Sequence, residues 1–299
     1  MPVDSEVLPI VSVVIPTFNH GHFLGRALQS VLDQSLLNWE VIVVDNHSTD
    51  NTDDVMKGFT DPRITYLKIH NNGVIAASRN AGIRAAKGEW IAFLDSDDWW
   101  VSDKLQACFA GINENVDLVY HDLKIVTNQH RYFGRKTIKS WQVKVPVLTD
   151  LLRKGNPIIN SSVVVRRCLL NKIGGINEDV GMIAAEDYNT WLHVATLTEK
   201  FIYIPRALGF YYIHDKSVSN KDMSFPTNLA IAEFIPLIEK NIQETVHANI
   251  KYISGRFNYL KGNYAEAIND LLFCVKYGRY QLKIKSLWMI VVMKVKARG

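Results

Sequence analysis

Three carboxylates within four positions, at the end of a buried apolar run, constrain this chain more than any other feature. Residues 91–94 are all apolar, and Asp95, Ser96, Asp97 and Asp98 follow them directly. A short apolar run bounded by polar residues predicts a buried strand. The carboxylates therefore lie where that strand leaves the sheet, and they repel one another unless a cation or an array of donors compensates them.

The acid cluster has two interpretations. Asp95 and Asp97 are two residues apart, so they face the same way on an extended backbone. That arrangement suits Mg²⁺ or Mn²⁺, which one or two carboxylates and the phosphates of a substrate commonly hold together. Alternatively, the acids form a solvated turn that caps the next helix, with Asp98 or Ser102 as the N-cap. The cluster alone leaves both interpretations open.

Predicted strands alternate with predicted helices over about the first hundred residues. Runs of β-branched and apolar residues predict strands at 10–15, 40–44, 64–69 and 90–94. Apolar and small residues at helical spacing predict helices at 23–32 and 73–87. This alternation is typical of an α/β fold with a mostly parallel sheet and right-handed crossovers. Ligands bind beyond the carboxyl ends of the strands in such sheets.

The alternation ends after the acid cluster. The later predicted strands are 116–126, 161–166, 202–204 and 209–214. Glu186 and Asp187 open a predicted helix, where the helix dipole favours acidic side chains. From about residue 225 onward the sequence is helical, which predicts a C-terminal α-helical appendage.

Composition narrows the class of protein. The chain has 299 residues, 47% of them hydrophobic and 21% charged, which is the balance of a globular protein with one large domain or two ordinary ones. A formal charge of +4 is too small to indicate nucleic-acid binding. Cys108, Cys168 and Cys274 are widely spaced in apolar surroundings, which predicts reduced core thiols and a cytoplasmic location. We expect neither a signal peptide nor a membrane-spanning segment, because residues 1–9 carry acids and no apolar run reaches about 20 residues.

Five segments in a fixed order carry a family resemblance. They are residues 11–19, 43–50, 78–82, 88–98 and 186–187. Together they resemble the successive motifs of glycosyltransferase family 2, over about residues 10–220. The resemblance implies the GT-A fold, with a nucleotide-binding half at 10–100 and an acceptor half at 101–220. We accordingly expect a catalytic domain over 1–220 and a helical C-terminal region over 221–299.

The resemblance implies an activity and a role for specific residues. The activity is inverting transfer of a sugar from a nucleotide diphosphate to a hydroxyl of a glycan or lipid-linked acceptor, in surface polysaccharide or glycoconjugate synthesis. The nucleotide-sugar pocket would be lined by Pro16, Thr17, Phe18, Asn19, Asp45, Asn46, Arg79, Asp95 and Ser96. Asp97 and His214 would hold Mg²⁺ or Mn²⁺, and Asp187 would be the general base, with Glu186 as the second candidate.

Two departures from the family pattern affect the donor site. Asn46 stands where the family often has Asp in the base-binding turn. Its amide oxygen still accepts a hydrogen bond but carries no charge, so UDP is a weaker prediction than nucleotide-sugar binding. Tyr212 stands where the family often has Arg. Residues 211–219 resemble a late motif of the family, and His214 lies in that same segment, so its implied role depends on the rest of this resemblance.

Each site residue also has a purely structural interpretation. Arg79 could be a solvated residue on a helix face, and Asp187 could be an ordinary acid in the first turn of a helix. The side chains of Trp99, Trp100 and Trp191 could stack on sugar rings or fill the core.

The last predicted helix has two interpretations. Ile284, Leu287, Trp288, Val291, Val292 and Val295 share one face, and Lys283, Lys285, Lys294, Lys296 and Arg298 flank it. This pattern predicts peripheral contact of residues 281–299 with an anionic membrane surface, at the inner face of the cell membrane. Alternatively, the apolar face packs in the core of the helical appendage.

Other functions share part of this pattern. A nucleotidyltransferase would also have the sheet and a metal site, but it would carry a glycine-rich basic loop after the first strand, where residues 16–20 have no glycine. A dinucleotide dehydrogenase would need a glycine fingerprint at the same place. A catalytically inactive scaffold that binds nucleotide sugar stays an alternative, although Asp97 and Asp187 are both present.

Overall fold

The computed structural model describes residues 8–127, 136–214 and 221–296. These residues form two compact units. The first unit takes the described residues of 1–143, 157–178 and 193–214, and the second takes those of 144–156, 179–192 and 215–299. The predicted boundary at residue 220 divides the chain by family resemblance and stays a prediction.

The described part of the first unit is built on a nine-stranded sheet. In chain order its strands are β1 (Val11–Thr17), β2 (Trp39–Asp45), β3 (Ile64–Lys68), β4 (Trp90–Phe93), β5 (Trp99–Trp100), β6 (Leu118–Thr127), β7 (Thr137–Ile138), β8 (Val164–Arg166) and β9 (Phe201–Ile213). Their spatial order is β3-β2-β1-β4-β8-β6-β9-β5, with β7 beside β6. The first four strands are mutually parallel, as predicted.

The second half of the sheet is mixed, which the sequence did not predict. Strand β8 runs antiparallel to both β4 and β6, whereas β6 and β9 run parallel. The two short strands predicted at 202–204 and 209–214 are one continuous strand, β9. Its pairing with β6 shifts register near Asp122, and that irregularity interrupts the regular alternation of side chains.

Helices cover the sheet of the first unit. They are α1 (Gly21–Leu32), α2 (Thr52–Lys57), α3 (Ile75–Ala85), α4 (Lys104–Ala110) and α6 (Arg167–Lys172). The core lies between helices and sheet and includes buried aliphatic residues of β1, β2 and α1. All three cysteines are free, but Cys168 is exposed on α6, so the prediction of three core thiols is wrong for that residue.

The described part of the second unit is helical. It contains α5 (Val147–Lys154), the start of α7 (Glu186–Leu197), α8 (Ser224–Ile231), α9 (Lys240–Lys261), α10 (Tyr264–Tyr277) and α11 (Tyr280–Lys296). Helices α10 and α11 share a buried cluster that includes Leu271, Met289 and Met293. The predicted C-terminal helical region is therefore present. None of the described helices has the length and apolar content needed to cross a membrane.

Candidate active site

The polar ends of three neighbouring strands meet at one edge of the sheet. Strands β2, β1 and β4 are adjacent and parallel, so the segments that follow them leave the sheet side by side. The backbone N–H of Asn46 donates to the carbonyl of Thr17 at 3.0 Å, and that of Leu94 donates to the carbonyl of Val14 at 3.1 Å. These contacts bring the predicted nucleotide-pocket segments together, as the strand order of a parallel sheet requires.

Asn19 ties the loop after β1 to the loop after β2. Its backbone N–H donates to Ser48 Oγ at 2.8 Å, and its side-chain oxygen accepts from the N–H of Thr49 at 2.8 Å. Asn19 has a positive φ of 51°, which asparagine tolerates better than most residues. Pro16 and Thr17 are buried in the last part of β1, whereas Phe18 is 51% exposed. The Phe18 ring is thus the part of this segment that a ligand can contact.

Asp45 organises the turn after β2 from inside the protein. Its side chain is fully buried, and its carboxylate accepts from the backbone N–H of Ser48 at 3.1 Å and lies 3.0 Å from the hydroxyl of Tyr66. Burial and the carboxylates of Asp53 and Asp45 raise the pKa of Tyr66, so its hydroxyl keeps the proton that it donates. Asp45 can shape a base-binding turn but has no exposed surface of its own.

Asn46 is also held in place. Its side-chain oxygen accepts from the backbone N–H of Asn71 at 2.9 Å, which joins the turn after β2 to the segment before α3. The next residue, His47, has a positive φ of 51° and stacks its ring on His70, with ring centroids 3.9 Å apart. Both histidines are exposed.

Arg79 and Asp95 form an ion pair at the centre of the edge. Arg79 lies on α3 with its side chain almost completely buried, so the interpretation as a solvated helix residue is wrong. Its Nη2 lies 2.8 Å from Asp95 Oδ1. With its amide oxygen turned toward the guanidinium, Asn160 accepts from Arg79 Nε at 3.1 Å. The backbone N–H of Asp95 donates to Ser161 Oγ at 3.1 Å, so Asp95 is fixed at both main chain and side chain.

Asp97 faces His214, which lies just after β9. Asp97 Oδ2 and His214 Nε2 are 3.1 Å apart, and both side chains are largely buried. Burial and the charge of Asp95 raise the pKa of Asp97. The two residues are 117 positions apart in sequence, yet the fold places them in contact. Ser96, between the two acids, is buried and hydrogen-bonds through Oγ to His20 Nδ1 at 2.8 Å.

Asp98 is buried rather than solvated. Its Oδ1 accepts from the backbone N–H of Tyr212 at 2.9 Å. Burial, followed by the charges of Asp97 and Asp95, raises its pKa well above the ordinary value. Helix α4 is preceded by Asp103 as the N-cap residue, and no side chain caps it. The interpretation of the acids as a solvated turn with Asp98 or Ser102 as cap is therefore wrong.

The Asp97–His214 pair fits a divalent cation. A carboxylate oxygen and an imidazole nitrogen are both ligands that Mn²⁺ accepts, and substrate phosphates commonly complete such a site. Burial and the charge of Asp95 both raise the pKa of Asp97, and a cation would offset both by stabilising the ionised carboxylate. Within the described ranges, no group of three or more His, Cys, Asp or Glu side chains is arranged to hold a metal by itself. The pair is thus a partial ligand set that needs further oxygen donors.

Asp187 lies in the first turn of α7, in the second unit. Its Oδ1 accepts from the N–H of Tyr188 at 2.6 Å, and its Oδ2 is 3.5 Å from the amide of Asn156. Asp187 lines a cavity of about 290 Å³, whereas Glu186 is buried and does not line it. Of the two acids, Asp187 is therefore the one that a molecule in the cavity can reach.

Sequence reasoning missed two residues beside the acid cluster. His20 contacts Ser96, and its ring lies 6.1 Å from that of His214. Arg26, on α1, donates from Nη2 to the carbonyl of Asp97 at 3.1 Å and stacks its guanidinium on Trp99, 3.5 Å from the ring centroid. His20 directly precedes α1 and Arg26 lies in its middle, whereas the family resemblance in this part of the chain ends at Asn19.

The tryptophans serve packing. Trp100 and Trp191 are buried, and the Trp99 ring is stacked between Arg26 and Phe210. None of the three presents an open ring face among these contacts, so sugar stacking has no support at these positions.

The chain is similar to known glycosyltransferases in sequence. Residues 12–168 match the model of the family described as "Glycosyl transferase family 2". One relative is the Escherichia coli UDP-Glc:alpha-D-GlcNAc-diphosphoundecaprenol beta-1,3-glucosyltransferase WfgD, 31% identical over 62% of this chain and 69% of the relative. Another is the putative teichuronic acid biosynthesis glycosyltransferase TuaG of Bacillus subtilis, 42% identical over 33% of this chain and 40% of the relative.

Solved structures share the fold at low sequence identity. The S. aureus TarS fragment 1–349 in complex with UDP-GlcNAc superposes with a TM-score of 0.64 at 20% identity, covering 91% of this chain and 82% of that one. The mannosyltransferase PcManGT of Pyrobaculum calidifontis, in complex with GDP-Man and Mn²⁺, gives a TM-score of 0.62 at 19% identity, covering 96% and 81%. The chain has the GT-A fold with a C-terminal helical region.

Proposed function

Because the chain belongs to glycosyltransferase family 2, we propose that it transfers a sugar, with inversion, from a UDP-sugar to a hydroxyl of a lipid-linked glycan. The observation that carries this proposal is the meeting of three polar strand ends at one edge of the sheet, with Asp95 and Asp97 beside Arg79 and His214. That edge offers carboxylates, a guanidinium and an imidazole, which are the groups that a nucleoside diphosphate and its cation require.

The donor and acceptor classes are supported by relatives. WfgD is named for a UDP-glucose donor and a GlcNAc-diphosphoundecaprenol acceptor, and the TarS fragment was solved with UDP-GlcNAc. TuaG is named for teichuronic acid synthesis. By analogy we propose that this chain acts in the synthesis of a surface polysaccharide or another lipid-linked glycan. PcManGT was solved with GDP-Man, so the fold alone does not select the nucleotide.

Fixed side chains of the first unit would bind the donor. The nucleoside would lie against Phe18 and the turn at Asn46, which Asp45 and Asn19 hold in shape. Asp95, oriented by Arg79, would accept hydrogen bonds from the ribose, and Arg79 lies near enough to Asp95 to screen its charge from the diphosphate. Asp97 and His214 would hold Mg²⁺ or Mn²⁺, which supplies positive charge against the negative charge that builds on the leaving diphosphate.

Asp187 would act as the general base. Its carboxylate would accept the proton of the acceptor hydroxyl as the oxygen attacks the anomeric carbon, and the bond from that carbon to the diphosphate oxygen would break in the same step. One displacement inverts the anomeric centre. Asn156 and the backbone N–H of Tyr188 each hold one carboxylate oxygen, which orients Asp187 at the wall of the cavity.

We also propose that α11 contacts an anionic membrane surface. Ile284, Leu287, Trp288, Val291 and Val295 are between 51% and 67% exposed, whereas Leu282, Ser286, Met289, Ile290 and Met293 are buried. At about 100° per residue the exposed set and the buried set occupy opposite faces. The apolar face predicted from the sequence is therefore the exposed one, and the interpretation that it packs in the core is wrong. The opposite face of α11 does the packing. Val292, the remaining residue of the predicted face, is partly buried.

The lysines beside the exposed face of α11 favour an anionic partner. Lys283 and Lys294 flank it on one side and Lys285 on the other, at about 80–100° from its centre. Residues 280–299 contain no acidic residue, and residues 297–299 lie outside the described part of the chain. An apolar face with lysine on both sides matches the interface of an anionic bilayer, where the chain would meet a lipid-linked acceptor at the inner face of the cell membrane.

The proposed function is tested by binding and transfer together. Purified full-length chain is screened with UDP-, GDP- and dTDP-sugars by thermal shift, with and without Mn²⁺, and then assayed for transfer to a lipid diphosphate acceptor. We expect a UDP-sugar to raise the unfolding temperature only with the cation, and to be consumed with an inverted product. Binding without transfer would favour an inactive scaffold, and release of pyrophosphate from a nucleoside triphosphate would indicate a nucleotidyltransferase.

A further inference from the structure

The cavity beside Asp187 is built entirely from the helical second unit. It lies among the end of α5, the segment that precedes α7, and helices α8 and α9. Its volume of about 290 Å³ is at the lower end of the roughly 300–1,000 Å³ of ligand pockets. A space of this size takes one sugar unit rather than an oligosaccharide.

Most of the cavity wall is apolar. Ile231 of α8 and Val246, Ile250 and Ile253 of α9 contribute aliphatic side chains to the same cavity that Asp187 lines. A sugar hydroxyl placed against such a wall would lose its hydrogen bonds to water without replacement, which disfavours binding. A methyl group placed there would instead gain from burial.

One wall residue offers a hydrogen-bond acceptor. Asn249 lines the cavity, and its amide nitrogen donates to the carbonyls of Arg153 at 2.9 Å and Leu152 at 3.3 Å. Because the amide nitrogen is directed at these two backbone carbonyls, the side-chain oxygen is the group that can serve a ligand. The hydroxyl of Tyr188 is bonded to the carbonyl of Leu151 at 2.8 Å and is buried away from this role.

We propose that this cavity is the acceptor subsite and that it selects an N-acetylated amino sugar. The acetamido methyl would pack on the aliphatic wall of α8 and α9, its N–H would donate to Asn249, and a ring hydroxyl would face Asp187. The inference rests on the proposed function, since it assigns the acceptor to the carboxylate that takes its proton. It makes the C-terminal helices part of acceptor recognition.

The test compares acceptors that differ in one substituent. The wild-type chain is assayed with synthetic lipid diphosphates that carry either N-acetylglucosamine or glucose. We expect kcat/KM to favour the acetamido acceptor by about tenfold to a hundredfold. The acetamido methyl of N-acetylglucosamine would pack on the aliphatic wall, whereas glucose would leave a hydroxyl without a hydrogen-bond partner there. Equal rates with the two acceptors would overturn the inference while leaving the transferase proposal standing. Absence of transfer from every donor to either acceptor would overturn both.

Variants of Ile253 locate the effect. Ile253→Phe fills the cavity and should raise the acceptor KM by about tenfold or more, with the donor KM and the slow hydrolysis of donor unchanged. Ile242→Phe makes the same change on the same helix outside the cavity and should leave all three values as in the wild type. Equal behaviour of these two variants would overturn the assignment.

A second variant covers the case in which Ile253→Phe fails to fold. Ile253→Ala enlarges the cavity and should shift the preference from an N-acetyl toward an N-propionyl acceptor. If the ratio of the two rates stays at its wild-type value, the acyl group does not lie against Ile253 and the inference fails.

Discussion

Asp187 carries the sharpest prediction at the scale of single residues. Asp187→Asn keeps the shape of the side chain and removes its basic oxygen, so turnover should fall by about 10²–10⁴-fold. Donor affinity and the cation-dependent thermal shift should persist, because they depend on residues of the first unit. The measurement is kcat with saturating donor and acceptor, beside donor binding by calorimetry.

Glu186→Gln is the matched control for that variant. Glu186 precedes Asp187 by one residue, about 100° around the helix, and it does not line the cavity. We expect the Glu186 variant to keep most of the activity. A dead Glu186→Gln beside an active Asp187→Asn would move the base by one position, and a product that retains the donor's anomeric configuration would refute single displacement.

The role of Asp97 predicts dependence on a divalent cation. Asp97→Ala removes a carboxylate oxygen from the Asp97–His214 pair, so transfer should be abolished and Mn²⁺ should no longer enhance donor binding. Wild-type chain in excess chelator should lose activity in the same way and regain it with Mn²⁺. Asp54→Ala, a change in an exposed carboxylate of α2, serves as the control and should remain active. Full wild-type activity in chelator would refute the cation.

Among the elements, regular ones were predictable from sequence and irregular ones were not. Strands β1, β2 and β4 were predicted within about a residue or two, because each is a continuous run of buried apolar residues ended by polar ones. Strand β5 has only two residues, too few to produce any periodicity, and its existence depends on pairing with Phe210 and Gly209 of β9. A short apolar run also does not indicate whether its strand pairs in parallel or antiparallel. The antiparallel pairing of β8 with β4 and β6 therefore could not be predicted.

The same physical limit applies to the candidate site. Residues that follow strands were predicted to meet because strand order determines which loops are neighbours. The shared role of His214 and Asp97 came from family resemblance, since the two residues are 117 positions apart and no local pattern encodes their contact. His20 was missed because it lies in the loop just before α1, outside the segment that carries the resemblance, and Arg26 because it lies in α1, whose pattern indicates packing alone.

A buried lysine on helix α4 predicts that the free energy of unfolding depends on pH. Lys104 is completely buried, its Nζ lies 3.8 Å from the centre of the Trp100 ring, and it has no hydrogen-bond partner among the described residues. Burial lowers the pKa of Lys104 to about 8 from 10.5. Between these values the unfolded chain holds a proton that the folded chain has released, so the free energy of unfolding rises with pH across that window.

Lys104→Met should remove this pH dependence. The stability of the variant relative to the wild type should be greatest at pH 7 and should shrink as the pH rises from about 8 to 10.5. Denaturant unfolding at several pH values measures it. Burial and the charge of the nearby Lys104 lower the pKa of His121 to about 3. The pH dependence of stability that His121 contributes therefore lies between about pH 3 and 6.5, below the window of Lys104. A constant difference across the alkaline window would refute the assignment.

At the scale of the whole molecule, helix α11 has a buried face that packs in the core of the second unit and an exposed apolar face that is available for other contacts. Residues 281–299 were predicted either to bind membrane or to pack in the core, and α11 does the second with the face that holds Met289 and Met293. Deleting the segment would therefore expose the core of the second unit and would test folding as much as lipid binding. Point substitutions on the exposed face are the sharper test.

Vesicle flotation of the full chain tests the membrane proposal with such substitutions. The wild type should float with vesicles that contain anionic lipid and should be released by high salt, because lysines near an anionic surface contribute about 1 kcal/mol each. Leu287→Glu places a charge on the exposed face of α11 and should reduce flotation strongly. Leu37→Glu makes the same change at an exposed leucine of the first unit and should have no effect.

Activity separates membrane docking from catalysis in the same variants. With a short-chain, water-soluble acceptor, Leu287→Glu should turn over as fast as the wild type. The reason is that α11 contributes no residue to the proposed donor site or to the cavity beside Asp187. With the acceptor embedded in anionic vesicles, its rate should fall, because the local concentration of enzyme at the surface falls with its membrane affinity. Equal flotation of Leu287→Glu and wild type, or loss of activity on both acceptors, would refute a docking role for this face.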